Sequence, residues 1–126
     1  AASGSQPADP RTRRIAALMK SLDPHHLVLD GRSLHGVPLE SLGDPNIDVI
    51  TTHHYPNTDN DYVKPIRAAR EKTRGKKAYL VGEFGFTTAD KIEDVYDAVI
   101  ASGASGERYS SRQELAWVPR PTRPRS

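Results

Sequence analysis

Residues 76–86 read KKAYLVGEFGF, and this stretch decides the fold. Its continuous apolar run from Ala78 to Val81 is typical of a strand that is buried on both faces. The run ends at one carboxylate, Glu83, which directly follows Gly82. In α/β proteins the chemistry lies at the carboxyl ends of the strands. We therefore expect Glu83 to emerge at a functional edge of a parallel sheet.

Two earlier strands and three helices can be placed around this stretch. Short apolar runs bounded by turn residues predict strands at 26–31, HLVLDG, and 46–56, NIDVITTHHYP. Apolar residues spaced at i, i+3, i+4 and i+7 predict helices, which cover residues 10–22, about 61–75 and about 89–101. Residues 32–46 contain two glycines and two prolines and predict a loop, with one helical turn near 39–42.

The predicted order is α-β-loop-β-α-β-α, and it indicates a parallel sheet covered by helices. Two architectures are compatible with this order, a small doubly wound sheet and a piece of a (β/α)8 barrel. A whole barrel takes about 250 residues. The chain has 126 residues, so it spans at most half of a barrel.

Composition excludes several classes of site. The chain has no cysteine, so disulfides, thiolate zinc sites and a cysteine nucleophile are excluded. No apolar run approaches the roughly 18 residues of a membrane span, and residues 1–10 show no signal-peptide pattern. The sequence does not begin with Met, which is compatible with a processed form or with a piece of a longer protein.

Charge is distributed unevenly along the chain. Residues 107–126 hold five Arg and two Glu, or +3, and the whole chain is +2, so residues 1–106 are at −1. We expect a flexible segment at 1–9, a folded body at 10–106 and a disordered Arg/Pro-rich tail at 107–126. A solvated arm is favoured over nucleic-acid contact for this tail.

Polar side chains follow the predicted strands where each strand ends. They are Asp30, His53, His54, Tyr55 and Glu83. Because side chains alternate along a strand, His53 and Tyr55 point to one face and His54 to the other. A phenol and an imidazole beside a carboxylate make a compact cluster that keeps the acid ionised and oriented. The His pairs at 25–26 and 53–54 lack a third ligand at a defined spacing, so neither a metal nor another cofactor is predicted.

The pattern DVITTHHYP, then a helix, then KKAYLVGEFGF resembles strands six and seven of glycoside hydrolase family 5 barrels. The endo-β-1,4-mannanase-like branch is the most similar one we can name. LDPHHLVLDG is similar to the approach to strand five, and the resemblance covers residues 10–106. It implies a partial (β/α)8 TIM barrel, comprising about strands five to seven with their helices in a parallel sheet.

The resemblance also implies roles for individual residues. Glu83 matches the catalytic nucleophile, Tyr55 the tyrosine that hydrogen-bonds it, and His53 a histidine lining the sugar cleft. Phe86 and Asp30 are candidate sugar contacts, although packing and a strand-end turn are the simpler readings of the two. The implied substrate is a β-1,4-linked polysaccharide, mannan or glucan, and the implied location is extracellular.

The sequence departs from the family at the second carboxyl group that retaining enzymes need. The family places that glutamate after Asn at the end of strand four, but neither Glu40 nor Glu71 follows Asn. Residues 107–117, ERYSSRQELAW, are also too polar for the family's strand eight. We therefore expect a required partner, the amino-terminal half of the barrel, and no substantial glycosidase activity from this chain alone. The alternatives are a non-catalytic carbohydrate-binding remnant and a truncated product without activity.

Overall fold

A computed structural model describes residues 9–32, 36–55 and 61–109 of the chain, with the backbone alone at 108 and 109. Helices and strands alternate along it. The elements are α1 (Pro10–Leu22), β1 (Leu29–Asp30), α2 (Leu39–Leu42), β2 (Val49–His54), α3 (Val63–Thr73), β3 (Ala78–Phe84), α4 (Ala89–Ser102) and β4 (Gly106–Tyr109). No described helix combines the length and the apolar character that crossing a membrane would take.

The four strands form one sheet in the order β1-β2-β3-β4, and every neighbouring pair is parallel. The predicted parallel sheet, the three long helices and the helical turn near 39–42 are confirmed. The fourth strand is a difference from the sequence prediction. Residues 107–109 were assigned to the polar tail, yet their backbone continues β4, because pairing to a neighbouring strand uses main-chain groups and tolerates polar side chains.

Local signals explain where the helices begin and end. The carboxylate of Asp9 accepts a hydrogen bond from the Arg11 backbone N–H, and Pro10 occupies the first turn of α1, where its missing N–H costs nothing. Pro65 lies in the first turn of α3 for the same reason. Gly103 ends α4 in the left-handed region at φ 67°, a conformation that glycine adopts without strain.

One face of the sheet packs against the helices and forms the core. Ile50 on β2 and Tyr79, Val81 and Phe84 on β3 are fully buried there. The core is completed by small and branched side chains from the helices and loops, namely Ala16, Val28, Val37, Ile47, Tyr62, Ile66, Ala69, Val95, Ala98 and Val99. Burying a Val, Leu, Ile or Phe side chain contributes about 1.5–3 kcal/mol, so this face supplies most of the stability.

The first helix is less buried than its pattern indicates. Ile15, Leu18, Met19 and Leu22 form the predicted apolar face of α1, but all four are between 47% and 78% exposed. Ala16 is the buried residue of α1, where it joins the core. The spacing correctly predicted an amphipathic helix. It could not indicate that no described part of the chain covers the apolar face.

A buried hydrogen-bonded group ties β2 to β3 inside the core. The hydroxyl groups of Thr52 and Tyr79 lie 2.5 Å apart, and the Thr52 hydroxyl is 2.7 Å from His54 Nε2. All three residues are buried. Burial raises the pKa of Tyr79 to about 12, so its hydroxyl stays protonated and hydrogen-bonded across the physiological pH range.

We expect Tyr79→Phe to lower the free energy of unfolding by about 1–2 kcal/mol. The substitution removes one buried hydroxyl and leaves Thr52 with fewer partners, while the ring volume is kept. Urea unfolding at pH 7 measures the change. Tyr96→Phe is the matched control: Tyr96 is partly exposed, so its loss should stay within about 0.5 kcal/mol. Equal effects from the two substitutions would contradict the role assigned to the buried hydroxyl.

Candidate active site

A β-bulge near the end of β3 decides which way Glu83 points. Thr52 pairs with Val81 and His53 pairs with Glu83, so the register passes over Gly82. The pairing of β3 with β4 also contains one extra residue of β3 in this region. Strict alternation from the buried Tyr79 and Val81 would send the side chain of Glu83 into the core. The extra residue re-aims Glu83 to the face of His53, a known use of bulges near active sites.

Glu83 meets Tyr55 and His53 on this face. The Tyr55 hydroxyl donates a short hydrogen bond to Glu83 Oε2, and His53 Nδ1 lies 3.6 Å from the same oxygen. The side chain of Glu83 is 38% exposed, whereas that of His53 is 9% exposed. The carboxylate is thus held from one side by a phenol and an imidazole, while the rest of it remains accessible to a ligand.

Phe86 joins the cluster from the segment that follows β3. Its ring centroid lies 5.4 Å from that of Tyr55, at an interplanar angle of 34°. The backbone of Phe86 is in the left-handed region, with φ 55°, which is uncommon for a bulky residue. Strained backbone of this kind is concentrated at functional sites. The half-exposed ring extends the aromatic surface beside Glu83.

Gly82 provides the space that His53 occupies. A Cβ atom at residue 82 would lie 3.0 Å from His53 Nε2 and 3.0 Å from Thr51 Cβ, closer than such atoms normally approach. Glycine here allows a close approach that a side chain would disturb, because the neighbouring atoms would have to shift. The sequence did not single out Gly82 as a site residue, although its position directly before the candidate acid Glu83 was a usable signal.

Asp30 lies apart from this cluster. Its register partner is Ile50, which belongs to the helix-covered face, and its carboxylate accepts hydrogen bonds from Arg32 and Ser41. Burial alone would raise the pKa of Asp30, but the hydrogen bonds from Arg32 and Ser41 and the charge of Arg32 outweigh it and lower the pKa. The structure therefore brings together four of the five predicted site residues, and Asp30 instead anchors the segment that follows β1.

The two upstream glutamates are engaged elsewhere. Glu40 Oε1 accepts a hydrogen bond from Arg32 Nη2 at 2.9 Å, within the group around Asp30. Glu71 pairs with Arg74 one turn along α3.

His54 points into the core toward Thr52, as the alternation predicted. Within 9–32, 36–55 and 61–109, no three His, Asp or Glu side chains form a group that could hold a metal ion.

The fold and this site together define the class of protein. Helices cover the sheet face that carries Ile50 and Tyr79, while Leu29 and Ala78, which share a register row on the opposite face, are exposed. A doubly wound sheet is covered on both faces, whereas a barrel keeps its helices on the outside. The chain is part of a (β/α)8 barrel with a polar cluster at the carboxyl ends of its strands.

Comparison with solved structures finds a protein of similar fold. The chain is similar to the hyperthermostable endo-1,4-β-D-mannanase from Thermotoga petrophila RKU-1, with a TM-score of 0.62 and 18% sequence identity. The match covers 78% of this chain and 38% of that chain, so the chain spans well under half of the mannanase. No family model and no curated protein matches the sequence. The likeness establishes a distant glycoside-hydrolase-like fold.

We expect Gly82→Ala to displace the His53 ring and to lower stability by about 1–3 kcal/mol, the usual result of overpacking. The imidazole resonances of His53 in NMR spectra report the displacement, and urea unfolding reports the free energy. Gly36→Ala is the control, because a Cβ there meets no atom within 4 Å. An unmoved His53 ring in the Gly82 variant would show that the bulge tolerates a side chain.

The Asp30 group should make stability depend on pH in acid. The pKa of Asp30 is lowered in the folded state, so its contribution is complete above about pH 4 and is lost as the pH falls through the folded value. At pH 7 we expect Asp30→Asn to cost about 1.5–3 kcal/mol, the range for hydrogen bonds to charged groups. The difference from the unsubstituted protein should shrink below about pH 4. Urea midpoints between neutral and acid pH measure it, and a constant difference would contradict the assignment.

Proposed function

We propose that this chain is the carboxyl-terminal part of a retaining glycoside hydrolase that acts on a β-1,4-linked polysaccharide, with Glu83 as the nucleophile. One observation carries the proposal. A tyrosine hydroxyl and an imidazole converge on a partly exposed carboxylate at the carboxyl end of a barrel sheet. Mannan is the favoured polymer, because the similar solved structure is that of a mannanase.

The geometry suits a carboxylate that must attack while ionised. A hydrogen bond donated to the charged form of an acid favours that form, and Tyr55 donates to Oε2 of Glu83. Oε1 then remains for attack on an anomeric carbon. Tyr55 and Phe86 present neighbouring rings beside the acid, and such rings offer apolar area against which the flat faces of a sugar pack.

The reaction needs a second carboxyl group that this chain does not place beside Glu83. In retaining enzymes an acid about 5–5.5 Å from the nucleophile protonates the leaving oxygen and later activates water. Glu40 and Glu71 are held by Arg32 and Arg74. We propose that the amino-terminal half of a barrel supplies the acid. Without it, protonation of the leaving group is lost, which lowers the rate about 10²–10⁴-fold.

An activated substrate tests Glu83 without that acid. A 2,4-dinitrophenyl 2-deoxy-2-fluoro-β-mannoside carries a leaving group that departs as a phenolate and needs no proton. We expect Glu83 to attack the anomeric carbon, the bond from that carbon to the phenolic oxygen to break, and a covalent glycosyl ester to remain on Glu83. Mass spectrometry of the intact chain and of its peptides locates the ester.

Three variants sharpen this experiment. Glu83→Gln should form no adduct, and Tyr55→Phe should form it at least about 10-fold more slowly, because the acid loses its orienting hydrogen bond. Glu93→Gln removes an exposed carboxylate on α4 and should leave labelling unchanged. Labelling of another carboxylate, or equal labelling of the Glu83 variant, would refute the nucleophile assignment.

A second experiment distinguishes a catalytic fragment from a non-catalytic carbohydrate-binding remnant. Turnover of mannan should be negligible for the chain alone and should rise when a separately produced amino-terminal barrel half is added. Glu83→Gln in the same mixture should abolish the gain. Retention on a mannan column, with neither labelling nor turnover in any mixture, would support the non-catalytic carbohydrate-binding alternative.

A further inference from the structure

Both edges of the sheet are open within the described residues. β1 pairs with β2 and β4 pairs with β3, and neither has a second neighbour in that part of the chain. Open parallel edges expose unpaired N–H and C=O groups, which favour pairing with another chain. Eight parallel strands close the barrel type to which this fold belongs. The described residues supply four strands, half of that number.

The face of the sheet opposite the helices is suited to a closed interior. Leu29, Val49 and Ala78 share one register row on this face, and Leu80 lies further along it. Leu29 is 44% exposed, and Ala78 is exposed as well. Branched and small apolar side chains in rows are the usual filling of a barrel interior. Among the described residues, this face is open to solvent at Leu29 and Ala78 and partly covered at Val49 and Leu80.

The first and last long helices carry opposite charges. α1 contains four basic residues and no acidic residue, and Arg11, Arg13 and Arg14 are exposed. α4 contains four acidic residues and one lysine, and all four acids are exposed. None of these three arginines and four acids forms an ion pair within the described residues. Their charges are therefore available to a partner.

Each of these helices also carries an exposed apolar stripe beside its charges. On α1 the stripe consists of Ile15, Leu18, Met19 and Leu22, and Arg11 and Arg14 precede Ile15 and Leu18 by four residues. On α4 the stripe consists of Tyr96 and Ile100, which are 38% and 78% exposed, and Glu93 and Asp97 adjoin them at helical spacing. An apolar stripe flanked by charge is typical of a helix that packs on a partner helix.

We propose that two copies of this chain associate about a two-fold axis into an eight-stranded closed barrel. The β4 edge of each copy pairs with the β1 edge of the other. Because α1 leads into β1 and α4 leads into β4, this pairing places the basic α1 of each copy beside the acidic α4 of its partner. The two contacts are identical by symmetry, so the assembly closes at a dimer. The inference rests on strand number, exposure and charge. The second copy would occupy the same two sheet edges as the amino-terminal barrel half of the glycosidase proposal, so the two associations exclude each other in one assembly.

The positions of α1 and α4 favour a second copy of this chain as the binding partner. Within one chain α1 and α4 lie at opposite ends of the strand order, so their charges do not meet. Association of two copies brings them together twice. It also covers the α1 stripe and the row containing Leu29 and Ala78, which a monomer leaves in water at a cost of roughly 25 cal/mol for each Å².

Charge reversal in two complementary variants tests the proposal. Sedimentation equilibrium of the whole chain should give twice the 13.9 kDa chain mass. Arg11→Glu/Arg14→Glu and, separately, Glu93→Arg/Asp97→Arg should each raise the dissociation constant at least about 10-fold, because like charges then face each other at both contacts. An equimolar mixture of the two variants should recover the dimer, since both contacts again join opposite charges.

Two controls keep the result specific. Lys64→Glu/Arg67→Glu makes the same change of charge at the same spacing on α3, away from the proposed contacts, and should leave the dimer intact. Circular dichroism verifies that each variant keeps its helices. Salt should weaken the unsubstituted dimer only in part, because screening acts on the charges and leaves the apolar contacts.

Four experimental outcomes would contradict the proposed dimer. A folded monomer overturns the proposal, whether residues 110–126 cover its edge or a different barrel half takes the place of the second copy. A chain that is unfolded by itself also overturns it, because the proposed dimer would bury these surfaces. So does a dimer that the charge reversals leave unchanged, or a mixture of the two variants that fails to reassociate.

Discussion

The parallel pairing of β2 with β3, with its one-residue bulge at Gly82, is the constraint on which the candidate site depends. Before the bulge, Tyr79 and Val81 pack into the helix-covered core. After it, Glu83 pairs with His53 and faces Tyr55, while Phe84 returns to the core. The extra residue thus lies between the part of β3 that packs in the core and the end of β3 that carries Glu83. Without it, either the acid would be buried in the core or the core residues would face solvent.

The same bulge also fits the side chains of the site against one another. Gly82 leaves room for the His53 ring, and His53 and Tyr55 share a single oxygen of Glu83. Behind them, the hydrogen-bonded group of Thr52, His54 and Tyr79 holds the two strands together in the core. Elements of this kind, locked by buried hydrogen bonds, position reactive groups more accurately than loops do.

Much of the fold could be predicted from sequence because its signals are local. The apolar run at 78–81, the capping residues Asp9 and Pro10 and the stop at Gly103 each act within a few residues. Part of the site was predictable as well, since the i, i+2 spacing of His53 and Tyr55 fixes a common face. The bulge was not predictable, because a shift in register depends on contacts between strands that are far apart in sequence.

Asp30 shows the same limit of prediction from sequence. Its position at the end of a strand made it a candidate sugar contact, with a strand-end turn as the simpler reading, and its register with Ile50 turns it toward Arg32 and Ser41. The apolar pattern of α1 was read correctly, but a pattern does not reveal whether a covering surface belongs to the same chain. In both cases the sequence specifies the chemical character of a side chain, and long-range pairing decides what that side chain meets.

The uncovered surfaces and the candidate site lie in different parts of the fold. The site is formed by the ends of β2 and β3, together with the segment after β3 that holds Phe86. The proposed assembly uses the flanks of α1 and α4 and the two outer strand edges. No residue is common to both, so reversing charges on the helices leaves the groups around Glu83 in place.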